Sequence, residues 1–133
     1  MIPNNKKLLI FFFISLSSIS AYSQTDINNC NAFKKGVFAY RDSATNTIRE
    51  FRRTGKHQVE TDKQTGVSIK YKIEWISACA YKLTQLYANT KDARKKNNSW
   101  LVYTIVATTA NSYTYQCSCS NKNDVHGTVV KME

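Results

Sequence analysis

Strict alternation of apolar and polar side chains between residues 68 and 75 constrains the fold of this chain more than any other feature. Ile69, Tyr71, Ile73 and Trp75 occupy every second position, and serine, lysine and glutamate fill the positions between them. Successive side chains of a β-strand point to opposite faces, so the pattern predicts a strand with one buried face and one face in water.

Seven further segments are enriched in β-branched and aromatic residues and are separated by short polar turns. They span residues 36–40, 47–53, 57–61, 81–87, 100–109, 113–119 and 125–131. Only 89–98 has helical composition, which predicts at most one short helix. Short connections favour antiparallel neighbours, and closure removes unpaired edges. We therefore expect an all-β domain, a single antiparallel meander of about eight strands forming a curved sheet or a lipocalin-like barrel.

The amino terminus has the order of a secretory signal peptide. Lys6 and Lys7 precede an apolar run at 8–16, and the small residues Ala21 and Ser23 follow it. The run is shorter than the roughly 20 residues that a membrane-spanning helix needs, and serines interrupt its continuation, which disfavours an uncleaved anchor. We expect residues 1–23 to be removed near Ser23 and residues 24–133 to form a single β domain that is secreted or periplasmic.

The chain is basic. The full sequence has a net charge of +10, and removal of Lys6 and Lys7 with the leader leaves 17 basic against nine acidic residues, a net charge of +8. Such a charge makes anionic partners outside the cell plausible, namely acidic polysaccharide, lipid head groups or extracellular DNA, but a soluble, solvated surface is the favoured explanation.

Four cysteines, Cys30, Cys79, Cys117 and Cys119, follow the leader and would meet an oxidising compartment. Cys117 and Cys119 are two residues apart in a predicted strand, where their Cα atoms would be about 6.6 Å apart, near the limit for a disulfide. This spacing favours a bridge between Cys30 and Cys79. Closing that loop would stabilise the fold by roughly 4 kcal/mol on the chain-entropy model.

Sequence motifs give little support for catalysis or a cofactor. The chain contains no nucleophile elbow, no phosphate-binding glycine loop and no His-Glu-x-x-His pattern, and we expect no enzymatic activity and no cofactor. One remaining route to catalysis is a meeting in space of Glu60 with Asp62 or of Glu50 with His57. A metal site built from Cys117, Cys119 and His126, suited to zinc or copper(I), is a further low-ranking alternative because no second ligand pair accompanies the cysteines.

The sequence also resembles a family of small exported bacterial proteins that often carry the label DNA topoisomerase IV. The resemblance rests on Asn29-Cys30, Arg53-Thr54-Gly55, Glu74-Trp75-Ile76-Ser77-x-Cys79-x-Tyr81-x-Leu83 and Gly127-Thr128-Val129, and it spans nearly all of the predicted domain. It implies a small all-β domain with Cys30 paired to Cys79 and no established activity. The label itself does not fit, because topoisomerase chemistry needs a large magnesium-assisted apparatus that about 110 residues cannot supply.

Two binding modes follow from these features. The first is a small apolar ligand held inside the β structure, for which the following side chains are the candidate lining: Phe38, Tyr71, Trp75, Leu83 and Tyr103. The second is an anionic polymer held by a basic surface, with the following candidates: Lys91, Arg94, Lys95 and Lys96. Tyrosines interleaved with lysines could also stack sugars or bases, but strand alternation places the two types on opposite faces. We expect a monomer with no membrane span after cleavage.

Overall fold

A computed structural model describes residues 29–42, 45–117, 119 and 125–133. The predicted leader and its cleavage site lie outside these residues. The strands are β1 (Gly36–Asp42), β2 (Thr47–Arg53), β3 (His57–Asp62), β4 (Ser68–Ser77), β5 (Ala80–Ala88), β6 (Trp100–Thr108), β7 (Ser112–Cys117) and β8 (Val125–Lys131). A 3-10 helix (Cys30–Phe33) precedes them, and the short helix α1 (Lys91–Arg94) lies between β5 and β6.

The eight strands form a closed antiparallel barrel in chain order, which confirms the predicted fold class. β1 closes the barrel because it pairs with β2 on one side and with β8 on the other, with Phe38 opposite both Phe51 and Lys131. Register shifts interrupt the pairing of β4 with β5 and of β6 with β7. Such irregularities bend a strand locally, which long strands need in order to curl into a small barrel.

Two turns show why local sequence sets the strand ends. After β3 the Asp62 carboxylate accepts the backbone N–H groups of Gln64 and Thr65, at 2.9 and 3.2 Å, and Gly66 takes a positive φ of 73°. An aspartate that caps its own turn, followed by glycine in the left-handed region, reverses the chain tightly. The turn delivers β4 antiparallel to β3, where its alternating pattern places Tyr71 inside.

One end of the barrel is sealed by the 3-10 helix. Phe33 is fully buried there, with its ring 5.2 Å from that of Tyr113, and Phe38 stacks on Phe51 at 5.0 Å. Two cationic side chains from inside the barrel bind the carbonyls of the helix: Arg53 donates to Phe33 and Lys131 donates to Ala32. We call this the closed end.

The cysteines fasten the closed end and the end of β7. Cys30 of the 3-10 helix is bonded to Cys79 in the β4–β5 turn, with Cα atoms 5.3 Å apart. Cys117 and Cys119 are bonded as well, with Cα atoms 5.1 Å apart rather than the 6.6 Å expected. The prediction of a strand through residue 119 was wrong: β7 ends at Cys117, so the extended spacing does not apply.

The helix predicted within 89–98 is a single turn. Thr90 caps α1 by accepting the N–H of Ala93 at 3.2 Å, and an aspartate, Asp92, occupies the first turn. Side-chain caps and early acidic residues favour helix initiation. Within the part of the chain that the structure describes, no helix has both the length and the apolar character needed to span a membrane.

Candidate binding cavity in the barrel

The closed end is built around one buried guanidinium. Arg53 is only 2% exposed, and it donates hydrogen bonds to the Gln58 side chain (2.9 Å), the Phe33 carbonyl (2.8 Å) and the Tyr113 hydroxyl (3.2 Å). The guanidinium carbon of Arg53, Cζ, also lies 4.5 Å from the centre of the Tyr81 ring and within 6 Å of the centres of four further aromatic rings.

No carboxylate forms an ion pair with Arg53 among the described residues. Its charge is instead balanced by neutral acceptors and by the negative faces of aromatic rings. A buried charge is costly unless such partners surround it, and here the rings and acceptors around Arg53 fill this end of the barrel. The cavities inside the barrel therefore lie toward its other end.

A cavity of about 310 Å³ occupies the other end of the barrel, and we call it the mouth cavity. It reaches the surface beside α1, where the exposed residues Asp92, Lys96 and Ser99 form part of its wall. Its apolar walls come from Val67, Ile69, Tyr71, Leu83 and Leu101. This volume falls within the range of small-molecule sites in proteins, about 300–1,000 Å³.

A second, smaller cavity of about 30 Å³ lies between the mouth cavity and Arg53, and we call it the inner cavity. Tyrosine rings dominate its wall, and Glu60 and Leu83 line both cavities. The inner cavity has room for about one water molecule. Glu60 therefore stands at the junction of the two spaces.

Glu60 belongs to a buried polar cluster. One of its carboxylate oxygens, Oε1, accepts the hydroxyl of Tyr40 at 2.5 Å and a guanidinium N–H of Arg49 at 3.2 Å. Arg49 also pairs with Asp42 at 3.4 Å. The Nε atom of Arg49 is buried without a hydrogen-bond partner among the described residues. Buried polar groups are normally paired, so this N–H donor is left for a water molecule in the cavity.

Burial and the Glu60 carboxylate together raise the pKa of the Tyr40 phenol far above its ordinary value. The same two causes, in the same order, raise the pKa of Tyr71 and of Tyr103. These phenols therefore stay protonated, and the Tyr40 hydroxyl donates its proton to the hydrogen bond with Glu60. Asp62 behaves in the opposite way: the backbone N–H of Gln64, above other causes, lowers its pKa, so it stays ionised at the cavity wall.

The structure divides the five predicted lining residues between two regions. Tyr71 lines the mouth cavity, Tyr103 lines the inner cavity, and Leu83 lines both. Phe38 and Trp75 lie instead at the closed end, where both rings face the Arg53 guanidinium. Alternation alone predicts which side chains point inward but not how far along the barrel axis the space extends.

The predicted basic patch lies on α1 and the turn after it, at the rim of the mouth cavity. Lys91, Arg94, Lys95 and Lys96 are all exposed, and Lys96 is part of the cavity wall. Two of these side chains are engaged within the protein: Lys95 pairs with Asp92 at 3.0 Å, and Arg94 donates to the Ala88 carbonyl at 3.4 Å.

The structure does not bring the three candidate metal ligands together. Cys117 is buried and bonded to Cys119, whereas His126 is exposed and lies opposite Gln116, the residue before Cys117. No cluster of three or more potential metal ligands occurs among residues 29–42, 45–117, 119 and 125–133.

Of the two candidate catalytic pairs, Glu60 and Asp62 both line the mouth cavity. In the other pair, Glu50 forms an ion pair with Lys63 at 3.3 Å and His57 lies at the start of β3.

The sequence analysis did not assign Arg49 to the cavity, although Arg49 lines it. Its position two residues before the inward-facing Phe51 is a signal that could have placed it on the inner face.

No family model, no curated protein and no solved structure matches this chain. The function proposed below therefore depends on the geometry of the barrel alone.

Proposed function

We propose that this chain is a non-catalytic, exported binding protein, similar in plan to a lipocalin-type barrel, that holds one small molecule in the mouth cavity. The observation that carries the proposal is a ligand-sized cavity at one end of a closed barrel whose other end is sealed by the 3-10 helix and Arg53. A space closed at one end fixes the depth and orientation of its occupant.

Two further observations support this function. The bond between Cys30 and Cys79 fits a protein that matures in an oxidising compartment, as the predicted leader requires. Neither of the two histidines of the chain lines the mouth cavity or the inner cavity. A site without histidine and with apolar walls is better suited to holding a molecule than to moving protons at neutral pH.

The proposal is tested with N-phenyl-1-naphthylamine, a neutral apolar probe whose fluorescence rises in apolar surroundings. We expect saturable binding with one probe per chain. Ala93 lines the mouth cavity, so Ala93→Trp should fill the entrance and weaken binding about tenfold or more. Lys95→Trp adds the same ring on the same turn outside the lining and serves as the matched control. Non-saturable binding, or equal binding by the two variants, would count against the cavity.

One observation favours a second function, binding of an anionic polymer: four cations occur within six residues on one exposed turn. Binding to heparin should then weaken steeply as the salt concentration rises, because each lysine or arginine that neutralises a sulfate group of the polymer releases a counterion. Replacing Lys91, Arg94 and Lys95 together by glutamine leaves Lys96 in the cavity wall and should remove most of that binding. Unchanged heparin affinity in this variant would eliminate the alternative.

A further inference from the structure

The charges around the mouth cavity and the inner cavity are unbalanced. Glu60 and Asp62 are each 7% exposed and are the only buried carboxylates among the described residues. Arg49 pairs with Glu60 at 3.2 Å and lies near enough to Asp62 to lower its pKa, so two buried carboxylates face one guanidinium. The cluster therefore carries an excess of negative charge inside a protein whose net charge is strongly positive.

The second carboxylate oxygen of Glu60 is available to a ligand. Both hydrogen bonds of Glu60 go to Oε1, and Oε2 has no partner among the described residues. Because Glu60 lines both cavities and is more than nine-tenths buried, its carboxylate is largely shielded from bulk water. A carboxylate oxygen in such surroundings binds a charged N–H donor more strongly than a neutral one.

Aromatic rings surround the same position. Tyr71 lines the mouth cavity, and Tyr40, Tyr103 and Tyr115 line the inner cavity with Glu60. The negative face of a tyrosine ring attracts an ammonium group, and it does so more strongly where water is excluded. The hydroxyls of Tyr71 and Tyr103 make no hydrogen bond to any described residue, and a phenol oxygen can accept from an ammonium group.

Resting on the proposed function, we propose that the ligand is a small organic cation: a primary amine joined to an apolar or aromatic body. The ammonium group binds Glu60 Oε2 among the tyrosines, and the body lies against Ile69, Leu83 and Leu101 in the mouth cavity. Arg49 is the nearest cation, but its guanidinium already pairs with Glu60 Oε1 and with Asp42. Lys96 and its exposed neighbours at the rim oppose the ligand's charge only weakly, because salt screens exposed charges over about 8 Å at physiological ionic strength.

The test compares three indoles of similar shape by calorimetry: tryptamine is a cation, tryptophol is neutral, and indole-3-acetate is an anion. We expect tryptamine to bind at least about tenfold more tightly than tryptophol, and indole-3-acetate to bind most weakly. Glu60→Gln should reduce the preference for tryptamine over tryptophol to about threefold or less. Glu74→Gln removes a carboxylate that pairs with Lys72 and Lys82 on the outer face, and it should leave the preference unchanged.

The outcomes separate this inference from the proposed function. If the naphthylamine probe binds but the three indoles bind equally, or the anion binds best, or none of them binds, the cation assignment is overturned and the cavity remains. If the probe fails to bind as well, the proposed function itself fails. The comparison of the three indoles uses the unaltered protein, so it decides the question even if Glu60→Gln does not fold.

Discussion

Replacing Arg53 tests whether the buried guanidinium at the closed end holds the barrel together. Arg53→Met keeps much of the side-chain volume but leaves the Phe33 carbonyl and the Gln58 side chain without their donor, whereas the Tyr113 hydroxyl keeps the Tyr81 hydroxyl as a partner. Each buried group left unpaired costs about 1–3 kcal/mol, and relief of the buried charge offsets part of the sum. We therefore expect the free energy of unfolding to fall by about 3–5 kcal/mol.

The measurement is urea unfolding of the disulfide-bonded protein, followed by tryptophan fluorescence, with variants compared at equal slope. Arg52→Met is the matched control because Arg52 is the neighbouring residue on the same strand and points outward into solvent; it should change stability by less than about 0.5 kcal/mol. Arg53→Lys keeps the charge but lacks the planar fork that reaches three acceptors, so it should also destabilise. A loss below about 1 kcal/mol for Arg53→Met would refute this account of the closed end.

Three further predictions concern packing, the disulfide and pH. A Cβ at Gly127 would lie 2.6–2.8 Å from the Tyr115 ring, so Gly127→Ala should lower the free energy of unfolding by about 1–3 kcal/mol, whereas Gly55→Ala, with no atom closer than 3.9 Å, should cost little in a urea titration. Replacing Cys30 and Cys79 together by serine should lower that free energy by roughly 4 kcal/mol in the same assay, and an unchanged midpoint would contradict the role of the bridge. Burial raises the pKa of five tyrosines above their ordinary value of about 10, so the folded state keeps protons that the unfolded chain loses. Their contribution to stability should be fully present below about pH 10 and fall above it, and in a spectroscopic titration the phenolate absorbance of these five should appear only as the protein unfolds.

Strand positions could be predicted because alternation and turn residues are local signals. The segment from residue 68 onward is β4, and all eight strands occur near their predicted positions. The strand ends were less predictable: β7 ends at Cys117, and the bond between Cys117 and Cys119 depends on a Cα separation of 5.1 Å that residue spacing does not reveal.

The site was less predictable than the fold. Tyr71, Leu83 and Tyr103 were identified because apolar residues on alternating positions must face the interior. Arg49 and Arg53 were not, because charged residues are rarely buried unless they are paired, and their partners come from strands distant in sequence. Arg53 meets Tyr113 sixty residues away, a contact that exists only once the barrel has closed.

At Gly127 the sequence predicts that the position is unusual, but not what lies against it. The sequence predicts either a bulge or a close approach of backbone at a glycine within a strand. The structure shows neither: the pairing of β7 with β8 has no register shift, and the group that lies against Gly127 is the side chain of Tyr115, its cross-strand partner, rather than backbone. Which neighbour fills the space could not be known before the strand register was known.

The most direct test of the central claim is native mass spectrometry of the protein purified after export, beside its Ala93→Trp variant. The account predicts that the unaltered protein carries one small-molecule adduct per chain and that the variant, with its entrance filled, carries little or none. An unaltered protein with no adduct that also fails to take up the naphthylamine probe, or an adduct retained equally by both proteins, would contradict the claim that the mouth cavity is a binding site.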